Sequence, residues 1–288
     1  MTIGPDSRSM QHRSVLGLGP TGFHRLAYTE WGIAGSAPPV VCLHGLTRNS
    51  RDFDFLCADL AEHRHAFSLD AVGRGDSDYL SDFSQYGYPQ YIADANTLIA
   101  RIGREQVDWV GSSMGGLVGM MIAAMGGHPI RRMVMVDVGP FLPKAGLDRI
   151  AEYLGGDERF DSRTEARAYL AHRLAGFGPL TEEHLDHLTA HGIVTDAGGK
   201  LRLAYDAKLA KPYEGVAMDD IDLWAYWESL NIPVLVVHGA HSDVLLLETI
   251  ERMRQKPGVE VYTVPDCGHC PLLMADDQIK AVRDFLAA

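Results

Sequence analysis

Short apolar runs alternate along this chain with longer stretches in which apolar residues recur every three or four positions. The short runs are 24–29 (HRLAYT), 40–43 (VVCL), 66–69 (AFSL), 107–110 (VDWV), 133–138 (MVMVDV), 234–237 (VLVV) and 259–264 (VEVYTV). A strand with one wet face alternates polar and apolar residues, whereas most of these runs are apolar at successive positions. That pattern predicts strands covered on both faces, as in a mostly parallel sheet wrapped by helices, the α/β class. Residues 91–102 and 278–286 carry the i, i+3, i+4 spacing of amphipathic helices, and 114–127 reads as a glycine-rich buried helix.

The rhythm breaks between residues 141 and 227, where no core strand is visible. Residues 164–174 (TEARAYLAHRL) and 181–189 (TEEHLDHLT) each open with Thr followed by acidic residues, an N-cap arrangement. The expected organisation is therefore a sheet-centred core built from 1–140 and 228–288. A helical cap, 141–227, is inserted over one end of it.

Composition narrows the partners. The chain has 288 residues, 46% of them hydrophobic, with 38 acidic against 26 basic residues and a net charge of −12. This is globular composition, and its acidity disfavours nucleic acid and anionic lipid as partners. No apolar run reaches the roughly 18 residues of a membrane span. The first fifteen residues lack the apolar stretch of a secretory signal, and four cysteines are too few for a disulfide scaffold in so long a chain. A cytoplasmic protein acting on a small molecule is expected, with assembly into homo-oligomers left open.

The chemistry concentrates where strands end. Gly111-Ser112-Ser113-Met114-Gly115 matches G-x-S-x-G directly between an expected strand and an expected helix. There a sharp turn exposes the serine hydroxyl at a helix N-terminus, and flanking glycines avoid clashes. Ser113 is the expected nucleophile; Ser112, at an x position, is not. A serine needs an oriented base, and His269, after the last strand, is placed for that role. An acid must hold the imidazole tautomer. Asp243, following the 234–237 strand, completes the order Ser, Asp, His and is the expected acid, with Asp137 as its rival.

These residues, together with His44-Gly45-Leu46, the Asp70–Ser77 loop (DAVGRGDS) and Gly111–Gly116 (GSSMGG), resemble an α/β-hydrolase with a helical cap over nearly the whole chain. The resemblance implies an oxyanion hole from the backbone N–H groups of Leu46 and Met114, and a structural role for the 70–77 loop. It also implies a serine esterase or lactonase acting on a small substrate without metal or organic cofactor. His44, Trp224 and Trp227 are candidates to border the pocket, with helix packing the equal alternative for the two tryptophans. The common His-Gly-x-Pro is His44-Gly45-Leu46-Thr47 here. Epoxide hydrolases and haloalkane dehalogenases are disfavoured because they place Asp where Ser113 stands. Carbon–carbon bond hydrolases of ring-cleavage diketones share Ser-Met-Gly-Gly and Cys-Gly-His but usually follow that His with Trp, whereas Cys270 stands here; they are the alternative. A non-catalytic ligand receptor on the same fold is a third reading.

Two signals compete with this one. Cys267-Gly268-His269-Cys270 spells a dithiol redox motif, but it opens no helix and Pro271 follows it. His184, His187 and His191 share a helix face at i, i+3, i+7. A packed or solvated cap face is the expectation over a metal site, because no carboxylate-rich loop accompanies them.

Overall fold

The computed structural model describes residues 10–214 and 219–288; residues 1–9 of the expected core and 215–218 of the expected cap lie outside them. The strands of the first half are β1 (Met10–Gly19), β2 (Gly22–Trp31), β3 (Val40–Leu43), β4 (Ala66–Leu69), β5 (Val107–Ser112) and β6 (Ile130–Val136). Between them run α1 (Asp54–Leu60), α2 (Tyr88–Ile102) and α3 (Met114–Ala123). After the cap come α7 (Trp224–Ser229), β12 (Val234–Gly239), α8 (Leu247–Met253), β13 (Val259–Val264) and α9 (Asp276–Ala287).

These strands form one eight-stranded sheet in the order β1-β2-β4-β3-β5-β6-β12-β13. β1 and β2 pair antiparallel and β2 meets β4 antiparallel; from β4 onward every pairing is parallel. The expected α/β class is the observed one. β1 is the strand that the apolar pattern does not announce, because its first residues are mostly exposed on the sheet edge.

The doubly apolar strands divide their side chains between two cores. Val41, Leu43, Trp109, Met133 and Met135 face the cluster beneath α2, α3 and α7, while Val40, Cys42, Val110, Val134 and Val136 face the cluster containing α1 and α9. A period of two then makes every position of a central strand a core position. Asp108 of β5 is a charged exception. It is fully buried, and Arg64 and Arg131 both donate to its carboxylate.

The cap is not purely helical. It contains β7 (Phe141–Leu142), α4 (Lys144–Ala151), β8 (Arg159–Phe160), α5 (Arg163–Arg173), α6 (Glu182–Gly192), β9 (Ile193–Thr195), β10 (Leu201–Leu203) and β11 (Ile221–Asp222). A three-stranded β8-β10-β9 sheet and a β7-β11 pair brace its helices. Strands of two or three residues are too short to carry a periodicity. The expected boundary at residue 227 falls inside α7, whose Trp224 and Trp227 are buried in the same cluster as α3. The helix starts fit their chemistry: Thr181 caps α6 in a capping box with His184, and Ser162, rather than Thr164, caps α5.

Candidate active site

The turn from β5 into α3 lifts Ser113 above the sheet. Its backbone holds a positive φ of 48°, which a non-glycine residue keeps only when its surroundings enforce it. They do. A Cβ on Gly111 would lie 2.3 Å from the Gly115 carbonyl carbon, and one on Gly115 would lie 1.9 Å from the Leu43 carbonyl oxygen. Trp109, fully buried in β5, donates its indole N–H to the Gly115 carbonyl at 3.0 Å and clamps the turn from below.

Ser113 Oγ lies 2.9 Å from His269 Nε2, and His269 Nδ1 lies 2.8 Å from Asp137 Oδ2. Asp137, directly after β6, is fully buried. Its Oδ1 accepts the Gly239 N–H at 2.7 Å, and its Oδ2 also accepts the Ser242 hydroxyl at 2.6 Å. This set of donors fixes the carboxylate and aims it at the imidazole.

Asp243, the acid expected from the sequence, is not at His269. Its side chain is 44% exposed and forms a two-pronged ion pair with Arg149 of the cap helix α4. That pairing holds its carboxyl below the ordinary range against the opposing pull of burial. The physical reason is the turn after β12. Gly239 and Ser242 are spent on Asp137, so the next residue is carried outward past the imidazole. The rival acid occupies the position.

The loop after β3 carries Leu46. The Leu46 and Met114 amides, the expected oxyanion donors, give no hydrogen bond to a backbone carbonyl among the described residues. The 70–77 loop staples this one in place. Arg74, fully buried, donates to the Leu46 carbonyl at 2.8 Å, and the Ala71 N–H donates to His44 Nε2 at 3.0 Å. Its Asp70 carboxylate accepts N–H bonds from Ser50 and Asp76, and burial raises its pKa to about 6.

His44 is a brace and not a pocket residue. It is fully buried with Nδ1 on the Gly45 carbonyl at 2.7 Å, and burial lowers its pKa to about 3. Trp224 and Trp227 are likewise core: both are buried, and the Arg252 guanidinium covers the Trp224 ring at 3.6 Å. The cavity above Ser113, about 370 Å³, is instead walled by the cap. Arg149 comes from α4, Tyr153 from the turn after it, Tyr169 and Arg173 from α5, and Tyr205 from the loop after β10. These were invisible to motif reasoning because they reach the site only when the cap folds over the sheet.

The cysteines flanking His269 are packed. Cys267 Sγ donates to the Phe177 carbonyl of the cap at 3.0 Å, and Cys270 Sγ sits 3.1 Å from Ser112 Oγ. Burial, with Asp137 nearby, pushes Cys267 up to about 12 and raises Cys270 too, which suppresses the thiolate that redox exchange requires. Of the cap histidines, His184 stacks edge-on against Phe55 and closes the capping box. His187 and His191 join the core residue Asp54 in a group whose ligand atoms lie within 4.8 Å. Arg51 already engages that group, donating to Asp54 at 2.7 Å and to His191 Nδ1 at 3.1 Å. No helix among the described residues is long and apolar enough to cross a membrane.

A mostly parallel sheet with a serine on a strand-to-helix elbow, bonded through histidine to a buried carboxylate, defines an α/β-hydrolase. The profile of the alpha/beta hydrolase family matches residues 40–282, and the chain belongs to that family. It is 40% identical over 277 residues to the 3-hydroxybutyrate-oligomer hydrolase of Cupriavidus necator, covering 93% of this chain and 94% of that one. It is 27% identical over 259 residues to the 2-(acetamidomethylene)succinate hydrolase of Mesorhizobium japonicum, covering 88% and 90%. A solved α/β-hydrolase structure from Novosphingobium aromaticivorans matches with a TM-score of 0.88 at 33% identity, over 97% of this chain and 98% of that one.

Proposed function

We propose that this protein is a serine hydrolase that cleaves short esters of hydroxy acids, of the 3-hydroxybutyrate-oligomer kind, through an acyl-enzyme on Ser113. The observation that carries this reading is the unbroken Ser113–His269–Asp137 chain, with bonds of 2.9 and 2.8 Å, opening into a capped cavity. The 40% identity to an oligomer hydrolase along nearly the whole chain supports the substrate class.

In this mechanism Ser113 Oγ attacks the ester carbonyl carbon and its proton passes to His269 Nε2. Asp137 stabilises the imidazolium that results and keeps Nδ1 protonated. The Leu46 and Met114 N–H groups receive the oxyanion; donors of this kind contribute on the order of a hundredfold or more to the rate. His269 then returns the proton to the departing alkoxide. Water, deprotonated by the same nitrogen, attacks the acyl carbon and releases the acid, and Ser113 leaves with its proton restored.

The test is turnover of a 3-hydroxybutyrate dimer and of a p-nitrophenyl ester, with fluorophosphonate labelling of the serine. Ser113→Ala should lose both activities by on the order of 10⁴-fold or more and abolish labelling. A variant retaining most of its turnover overturns the reading. Wild-type protein that cleaves a vinylogous diketone but neither ester would move the assignment to carbon–carbon bond hydrolysis.

A further inference from the structure

Three arginines line the cavity above Ser113, and two of them are already neutralised. Arg48 forms a two-pronged pair with Asp52, at 2.8 and 2.6 Å. Arg149 does the same with Asp243. Arg173, the last residue of α5, differs. Among the described residues it has no carboxylate within ion-pair distance and no hydrogen-bond acceptor. Its guanidinium instead lies over the Tyr153 ring, 3.9 Å from the centroid. A guanidinium held by its face keeps its in-plane N–H groups available, and that edge matches the two oxygens of a carboxylate. Glu152 also lines the cavity but is exposed to solvent at its rim.

We infer that Arg173 binds the free carboxylate of the substrate, so that the enzyme takes ester acids by their acid end and releases hydroxy-acid units from that end. The inference rests on the ester-hydrolase reading above and adds to it which end of the substrate enters the cavity. An overall charge of −12 makes general attraction of an anion unfavourable, so its capture requires a local, unneutralised cation. The two relatives named above support the class, because a hydroxybutyrate oligomer and a substituted succinate both carry free carboxylates. Tyr153, in the turn after α4, holds Arg173 in place, so the anion site lies where that turn meets the end of α5.

The test compares a 3-hydroxybutyrate dimer with its methyl ester, reading the ratio of kcat/KM within each variant so that general activity losses cancel. Wild-type protein should prefer the free acid by about 10- to 100-fold, the range of a charge-assisted hydrogen-bonded pair. Arg173→Met should bring the ratio close to one, mainly by raising KM for the acid, and Arg173→Lys should keep part of the preference. Arg163→Met, an exposed charge on the same helix, controls for net charge and should leave the ratio in place. Acetate should inhibit turnover of a neutral ester in an Arg173-dependent way, and more strongly than inorganic phosphate. An unchanged ratio in Arg173→Met, equal wild-type use of acid and methyl ester, or stronger Arg173-dependent inhibition by phosphate would each overturn the inference while the ester reading stands. Failure of wild-type protein on every ester defeats that reading instead.

Discussion

Two neighbouring parallel strands, β6 and β12, each deliver an aspartate to the same sheet edge, and the two residues have opposite fates. Asp137 follows β6 immediately, is fully buried, and binds His269 together with Gly239 and Ser242. Asp243 lies four residues beyond β12, is 44% exposed on its side chain, and ties the core to the cap through Arg149. A strand end therefore supplies candidates, and burial decides between them. The acid that orients an imidazole must sit where water does not compete for its oxygens, and a half-exposed carboxylate on an arginine does not meet that condition.

Exchanging the carboxylates for amides separates these environments most sharply. Asp137→Asn should lower kcat by about 10⁴, because an amide can present its NH₂ to Nδ1 and favour the wrong tautomer. Steady-state rates on a p-nitrophenyl ester measure it, and a loss below tenfold would break the comparison. Ser242→Ala removes one donor from Asp137 and should cost about tenfold, near the lower end of the roughly 1.5 to 3 kcal/mol of a hydrogen bond to a charged group. Asp243→Asn should cost less than fivefold in kcat, since a half-exposed ion pair contributes about 1 kcal/mol or less. If Asp243→Asn proved more damaging than Asp137→Asn, the roles would have to be exchanged. Acid sharpens the same contrast. Arg149 holds Asp243 below its ordinary pKa of 3.8, so the tether's contribution is present above that value and lost as pH falls through the lower folded one. Thermal melts of wild type and Asp243→Asn should therefore run parallel above about pH 5 and converge only under stronger acid.

The Ser113–His269 pair could be read from the chain because both residues obey local rules. Gly111 and Gly115 have no room for a side chain, and the strand-turn-helix context is written in consecutive residues. The acid was misassigned to Asp243 because Asp137 and Asp243 both fit the chain order Ser, Asp, His. What separates them is a hydrogen-bonded turn, Gly239 to Ser242, that closes around one of them. His44, Trp224 and Trp227 show the reverse error. Each is chemically versatile and near a motif, yet each is buried against core partners. Their side chains satisfy packing before they can meet a ligand.

By itself the sequence determined the α/β class, the order of the central strands' elements, the elbow serine and the histidine loop. All of these depend on periodicity or on steric demands between residues close in the chain. The tertiary structure alone decided the acid, the cavity wall and the place of Arg173 on that wall. Those depend on which side chains from distant segments share a low-dielectric space, and no spacing along the chain encodes that directly. The cap's β8–β10 and β7–β11 pairings belong with them, since each joins residues remote in sequence.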